Sequence, residues 1–266
     1  MDEKDYLTIN QFAKLSNTEV STLRYWDEIG LFSPAQRDPQ NNYRYYVPPQ
    51  IIALNFITVL SNLRVPLKKI NQIGGARSPE IILDLIEQQE LLMDMEMQTL
   101  RERYSIIHTR RGLIKQGLNA DVDHISLVTL DERPIIHGTP SNFRENEPFY
   151  EPFMRFCKEA VSLRINLSYP IGGFHKSLRA FVEKPAQPEN WFSVDPTSRD
   201  KMPAGEYMVG YARGYYGDMG DLPERLTAFA KERSLQAAGP VYEIYLHDEV
   251  CQKDPSQYLV QICVAV

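Results

Sequence analysis

The chain has 266 residues, 43% hydrophobic and 24% charged, with 29 Lys and Arg against 35 Asp and Glu for a formal net charge of −6. That length and balance support a buried core in one or two domains and exclude disordered, collagen-like and disulfide-scaffold classes. No apolar run reaches the roughly 20 residues of a membrane-spanning helix, and the acidic start at Met1–Tyr6 is unlike a secretory leader, so a cytoplasmic protein with no membrane partner is expected.

Thr8-Ile9-Asn10-Gln11 matches a capping box that opens a first short helix, with Ile9, Phe12, Ala13 and Leu15 as its apolar face. A second helix begins near Thr18-Glu19, with Val20, Leu23 and Trp26 inward, Ser21, Thr22, Arg24 and Tyr25 outward, and Gly30 as its left-handed stop. Turn residues Asp38 to Asn42, followed by Tyr43-Arg44-Tyr45-Tyr46, predict a β-hairpin or wing. Helices over Gln50–Leu63 and from Leu67 onward follow.

Ser78-Pro79 then supplies a cap and an N1 proline, and Gly117 stands where a C′ glycine belongs. Between them Ile86, Met93, Leu100, Ile107 and Ile114 recur every seven residues, beside a second row, Leu85, Leu92, Thr99, Ile106 and Leu113. A seam this regular predicts antiparallel coiled-coil pairing between two chains; packing on the chain's own C-terminal part is the alternative.

Beyond residue 120 short strands alternate with helices. Strands are predicted at 125–130, 134–138, 205–211, 241–246 and 258–266, helices at 148–161 and 222–233, with 173–182 ambiguous. Strand, helix, strand, strand occurs roughly twice, and Pro134 before Ile135-Ile136-His137-Gly138 echoes Pro203 before Tyr207-Met208-Val209-Gly210. The expected fold class is α+β: a winged helix-turn-helix over 1–77, a dimerisation helix over 78–119, and a duplicated βαββ domain over 120–266.

Charge follows the same division. Residues 1–77 hold nine basic and seven acidic side chains, 78–117 five and seven, and 118–266 15 and 21. A slightly basic start thus precedes an acidic remainder, which points to different partners. Cys157, Cys251 and Cys263 are too scattered for a disulfide framework or a zinc site.

A second helix with an outward Ser/Thr/Arg/Tyr edge and an Arg/Tyr-rich wing is equipment for reading duplex DNA, the helix in the major groove and the wing gripping phosphates. Leu23-Arg24-Tyr25-Trp26-Asp27-Glu28-Ile29-Gly30-Leu31-Phe32-Ser33-Pro34, Asn42-Tyr43-Arg44-Tyr45-Tyr46 and Val65-Pro66-Leu67-Lys68-Lys69-Ile70 closely resemble the MerR family of winged-helix transcription regulators. The resemblance implies DNA contacts by Arg24, Tyr25, Arg44 and Tyr45, and the full expected set adds Ser21, Thr22, Arg37, Tyr43 and Lys68. Trp26 and Asn42 replace a usual Tyr and Gly, and Thr18 is expected to cap the recognition helix because Glu19 occupies the cap position. The resemblance further implies a homodimer on double-stranded promoter DNA that kinks an overlong spacer so that RNA polymerase engages both promoter elements.

Residues 78–150 contain no cysteine of the kind thiol-metal sensors of that family carry, so neither a metal nor a cofactor is expected. Residues 121–266 resemble the GyrI-like effector-binding domain at Lys201–Tyr207, Arg213–Tyr216 and Gly239–Leu246, which makes the whole chain similar to the BmrR-like multidrug-sensing branch. Strand alternation flanks Glu243 with Val241 and Tyr245, and a carboxylate among apolar groups is costly unless it is protonated or joined by a cation. An aromatic cleft with one acidic anchor suits a flat lipophilic cation, and the resemblance implies that Tyr150, Tyr169, Tyr207 or Tyr211, Tyr258 and Glu243 line the cavity that binds it. The alternatives are a small-molecule hydrolase and a module for a non-cationic ligand. No Ser-His or Cys-His arrangement of recognisable spacing supports catalysis, and His137, His175 and His247 are expected at the surface or in turns.

Overall fold

The computed structural model describes residues 6–75, 78–145, 147–237 and 239–266. Most of the acidic start and the expected boundary at residue 77 lie outside these. The chain divides into two compact units, Met1–Gln98 and Thr99–Val266, so the division falls inside a long helix rather than before it.

In the first unit β1 (Leu7–Thr8) leads into α1 (Ile9–Ser16), whose capping box forms as expected, with Thr8 and Gln11 bonded reciprocally. Ile9, Phe12 and Ala13 are buried, but Leu15 is 58% exposed, because it follows Ala13 on the far side of the helix turn. Helix α2 (Val20–Glu28) buries Leu23 and Trp26 and ends before Gly30, which takes φ +71°. Its N-cap is Glu19 without a side-chain bond. Thr18 does not cap it: its hydroxyl turns back to donate to the Ser16 carbonyl, one of the orphan acceptors at the end of α1.

The wing is β2 (Gln36–Arg37) against β3 (Arg44–Tyr46), and β3 also pairs with β1. Tyr46 stacks on Phe12 at 4.6 Å and on Phe32 at 5.9 Å, which ties the wing into the helical core. Helices α3 (Gln50–Asn62) and α4 (Leu67–Gly75) close that core through Leu54, Ile57, Leu60 and Ile70. Fully burying side chains of this size stabilises by roughly 1.5–3 kcal/mol each.

Helix α5 (Pro79–Leu118) spans 40 residues, about 60 Å at 1.5 Å per residue. Ser78 caps it through the Ile81 amide. Leu85 is buried in the first unit's core and Leu113 in the second's. Between them Leu92, Met93, Leu100 and Ile107 of the heptad rows are exposed. Gly117 is not the terminating glycine; it lies within the helix, where a Cβ would come 2.5 Å from the His247 Nε2.

The second unit continues with β4 (Ser126–Leu130), β5 (Arg133–Pro134), β6 (Ile136–Pro140), α6 (Tyr150–Ser162), β7 (Ile171–His175), α7 (Leu178–Glu183), β8 (Asn190–Ser193) and β9 (Lys201–Met202). It ends with β10 (Gly205–Arg213), α8 (Leu222–Glu232), β11 (Val241–His247) and β12 (Leu259–Ala265). The ambiguous segment is thus a strand followed by a short helix, and β8 is a strand that periodicity missed. The main sheet runs β4-β10-β12-β11-β7-β8-β6, with its paired strands antiparallel. Apart from the edge strand β4, the small pair β5-β9 and the added α7, the order β6-α6-β7-β8 is repeated as β10-α8-β11-β12. The two halves meet where β11 pairs with β7. The weak sequence echo has a packing reason. Gly138 and Gly210 each lie under their own half's helix, where a Cβ would come within 2.5 Å of Phe156 and 2.7 Å of Leu222 respectively.

Candidate nucleic-acid face and effector cavity

On α2, Ser21, Arg24 and Tyr25 are exposed and Thr22 is half-buried, so the expected outward edge is present. Arg37 and Tyr43 are exposed at the wing, Arg44 and Tyr45 half-buried, and Lys68 is exposed on α4. Asp27, at the end of α2, is buried and accepts from both wing arginines: Arg37 Nη2 and Arg44 Nε each stand 2.5 Å from its Oδ2. One carboxylate thereby fixes the wing against α2. Trp26 is 5% exposed, and the role of this second aromatic is in the core.

In the second unit a cavity of about 390 Å³ opens where the two halves of the sheet meet. Facing residues in the strand register form a row, Ile262, Glu243, Gly173 and Trp191, and paired positions share a sheet face. At one end of this row Ile262 packs in the cluster with α8, and at the other Trp191 packs with Phe156 of α6. Glu243 and Gly173 therefore sit between the two helix-covered halves. Gly173 leaves the carboxylate its room, since a Cβ there would stand 2.8 Å from Oε2.

Glu243 is 1% exposed, and neither carboxylate oxygen has a hydrogen-bond partner among the described residues. Burial pushes its carboxyl above the ordinary range, partly opposed by the His175 imidazole, whose Nε2 lies 3.7 Å from Oε2, beyond hydrogen-bond reach. Rings surround it. Trp191 meets Phe149 and Phe153 edge to face at 5.2 and 5.3 Å, Phe149 stacks on Tyr216 at 6.1 Å, and Tyr216 meets Tyr245 at 4.6 Å. The Tyr245 hydroxyl accepts from the Gly217 amide at 2.9 Å, and burial raises its phenol, with Glu243 adding to the rise. A bulge in β11 between Tyr245 and His247 breaks strict alternation, and Tyr245, Leu246 and Asp248 all line the cavity. Helix α5 contributes Arg110, Leu113 and Ile114, and the Ile114 carbonyl lies 3.0 Å from His247 Nε2. A carboxylate without a hydrogen bond inside a ring of π faces is an arrangement suited to a desolvated organic cation.

Residues 8–46 match the family described as MerR family regulatory protein. This is a MerR-family DNA-binding domain. The chain that carries it is a DNA-binding transcription regulator related to multidrug-efflux regulators. It is 28% identical over 255 residues to the Multidrug-efflux transporter 2 regulator of Bacillus subtilis, covering 94% of this chain and 92% of that one. It is 35% identical over 127 residues to the Transcriptional regulator BrlR of Pseudomonas aeruginosa, or 47% of this chain and 41% of that one. Among solved structures, the cryo-EM structure of the EcmrR–DNA complex aligns over 97% of this chain and 98% of that one at 16% identity, with a TM-score of 0.38.

In the second unit the cavity gathers Glu243, Tyr150 and Tyr169 of the expected ligand residues. Tyr207 is not on its lining: it is 1% exposed in the core, donates to the Pro203 carbonyl at 2.7 Å, and its phenol is pushed up to about 12 by burial. Tyr211 is also elsewhere, its hydroxyl accepting from Gln261. Tyr258 stands one ring behind, 5.5 Å from Tyr216. Tyr207 and Tyr211 share a face of β10, two strands away from β11 in the sheet. Phe149, Phe153, Trp191, Tyr215, Tyr216 and Tyr245 complete the cavity's aromatic lining. The Arg213-Gly214-Tyr215-Tyr216 motif and the position of Tyr245 two residues after Glu243 were the available signals. His175 and His247 are buried rather than superficial, one beside Glu243 and the other against α5. No helix of the described residues is long and apolar enough to cross a membrane.

Proposed function

We propose that the chain is a ligand-responsive activator: a lipophilic aromatic cation enters the cavity of the second unit and biases how a homodimer deforms promoter DNA. The observation that carries this reading is Glu243, fully buried among rings with no hydrogen-bond partner among the described residues. Its ligand-binding set is Glu243 with Tyr150 and Tyr169, joined by Trp191, Tyr216 and Tyr245. Similarity to a multidrug-efflux transporter regulator over nearly the whole length supports a drug-like effector.

Ser21, Thr22, Arg24 and Tyr25 enter the major groove of double-stranded promoter DNA, and Arg37, Tyr43, Arg44, Tyr45 and Lys68 grip the flanking backbone. The exposed heptad residues of α5 pair with a second copy of the chain. Because α5 is continuous and its last turns line the cavity, a ligand that shifts Arg110, Leu113 or Ile114 acts on the element that carries the DNA-binding domain. A ligand of this kind works only through its differential affinity for two arrangements of the dimer. Bending a promoter costs roughly 1–6 kcal/mol, which lies within reach of such a bias. RNA polymerase then engages the realigned promoter.

The test is a titration of the purified full-length protein with a cationic aromatic dye, read by tryptophan quenching, paired with in vitro transcription from its cognate promoter. Saturable quenching together with dye-dependent transcript supports the reading. Transcription indifferent to every cation that binds overturns it, and so does conversion of the dye to a product.

A further inference from the structure

The cavity is acidic at two places. Glu243 lies on its floor, and Asp248 and Glu249, just past the end of β11, line its mouth. These two mouth carboxylates differ. Asp248 has a counter-ion, Arg110 Nη1 at 3.7 Å. Glu249 has no lysine or arginine within ion-pair distance among the described residues; it is exposed and accepts a hydrogen bond from the Tyr216 hydroxyl. Around it the rings of Tyr215, Tyr216 and Tyr258 form a connected group, with centroids 5.3 to 6.3 Å apart. Two carboxylates without a lysine or arginine partner thus bracket one aromatic passage, each beside π faces that attract positive charge.

We infer that the cavity accommodates elongated dications, with one cationic head at Glu243 and the other at the Glu249 and tyrosine cluster, and an apolar spacer lying along the rings between them. This inference rests on the reading of Glu243 as a cation anchor and adds a second subsite to it. Extended β structure rises about 3.3 Å per residue, so the four steps from Glu243 to His247 cover roughly 13 Å before the chain turns to Glu249. The heads of a fitting ligand are therefore on the order of 10–15 Å apart. Single-headed cations of ordinary dye size occupy the floor alone. Arg110 sharpens the selection, because it neutralises Asp248 and leaves the second attraction to Glu249.

The test is calorimetric titration of the full-length protein with a bis-quinolinium joined by a polymethylene chain, and with its one-headed counterpart bearing an uncharged ring of equal size at the far end. The two-headed compound is expected to bind about three- to tenfold more tightly, a modest factor because a water-exposed ion pair is weak. Glu249→Gln keeps the acceptor for Tyr216 and is expected to bring the two-headed compound down to the one-headed value without changing the latter. Equal affinities for the two compounds in the unaltered protein, or an equal loss for both in Glu249→Gln, overturns the second subsite. Glu243→Gln separates this result from failure of the underlying reading. A loss for both compounds supports the anchor, whereas unchanged affinity for both removes the anchor and the inference with it.

Discussion

Replacing Glu243 with Gln preserves shape and removes charge, and it is expected to move stability and ligand affinity in opposite directions. In the free protein burial holds the carboxyl above its ordinary value of 4.5, with His175 opposing. For a carboxyl raised by folding there is no penalty below that ordinary value. The penalty grows as the pH climbs from there through the folded value, because the unfolded chain releases its proton more readily. Each unit of the rise is worth about 1.4 kcal/mol. Glutamine carries no such penalty, so Glu243→Gln is expected to unfold at the same or higher urea concentration than the unaltered protein at pH 7. It also loses the stabilisation that the unaltered protein gains from pH 7 to pH 5. His175 and Tyr245 interact with this carboxylate and are retained in both proteins, so the difference between them reports the Glu243 charge together with its coupling to those two groups. For a bound cation, removal of one partner of a desolvated charge pair costs roughly 2–5 kcal/mol, so Kd is expected to rise at least about thirtyfold. Urea melts at the two pH values and calorimetry with a quaternary aromatic cation measure both quantities. A variant that loses stability and affinity together would show Glu243 to be a structural acceptor and would refute the reasoning.

Gly117→Ala sets helix propensity against packing: propensity alone favours Ala by about 1 kcal/mol, but the new Cβ would stand 2.5 Å from an imidazole that is buried and placed against the Ile114 carbonyl. A net loss of about 1–2 kcal/mol is expected in urea melts of the full chain, and a gain would mean that His247 moves away freely. Asp27→Asn releases the charge pairs with Arg37 and Arg44. Because both arginines keep some solvent contact, the expected stability loss is about 1–3 kcal/mol, with weaker promoter binding as the wing loosens; gel-shift affinity unchanged by the substitution would separate wing position from DNA grip. Arg24→Ala is expected to weaken promoter binding, and if Arg24 meets a phosphate the slope of log affinity against log salt falls by about 1. A promoter preference identical to the unaltered protein's would take Arg24 out of the interface.

The sequence by itself determined the helix-turn-helix, the wing, the long helix and the duplicated βαββ order. Each rests on local signals: the Thr8–Gln11 capping box, the turn at Asp38–Asn42, a seven-residue repeat, and period-two strands. It also isolated Glu243, because alternation along one strand shows which side chains share its face. Local signals do not reach across strands, so nothing local in the sequence separates Tyr207 and Tyr211, which the family resemblance puts at the cavity, from β11, two strands away from their own β10. Gly117 read as a helix stop for the same reason, since the imidazole that requires its bare backbone comes from residue 247. Only the tertiary structure decided that Asp27 holds both wing arginines, that β7 and β11 meet at the join of the two halves, and that Trp191, Tyr216 and Tyr245 surround the carboxylate. Those contacts link residues far apart in the chain, and their positions follow from strand order and register, which a single sequence does not encode locally.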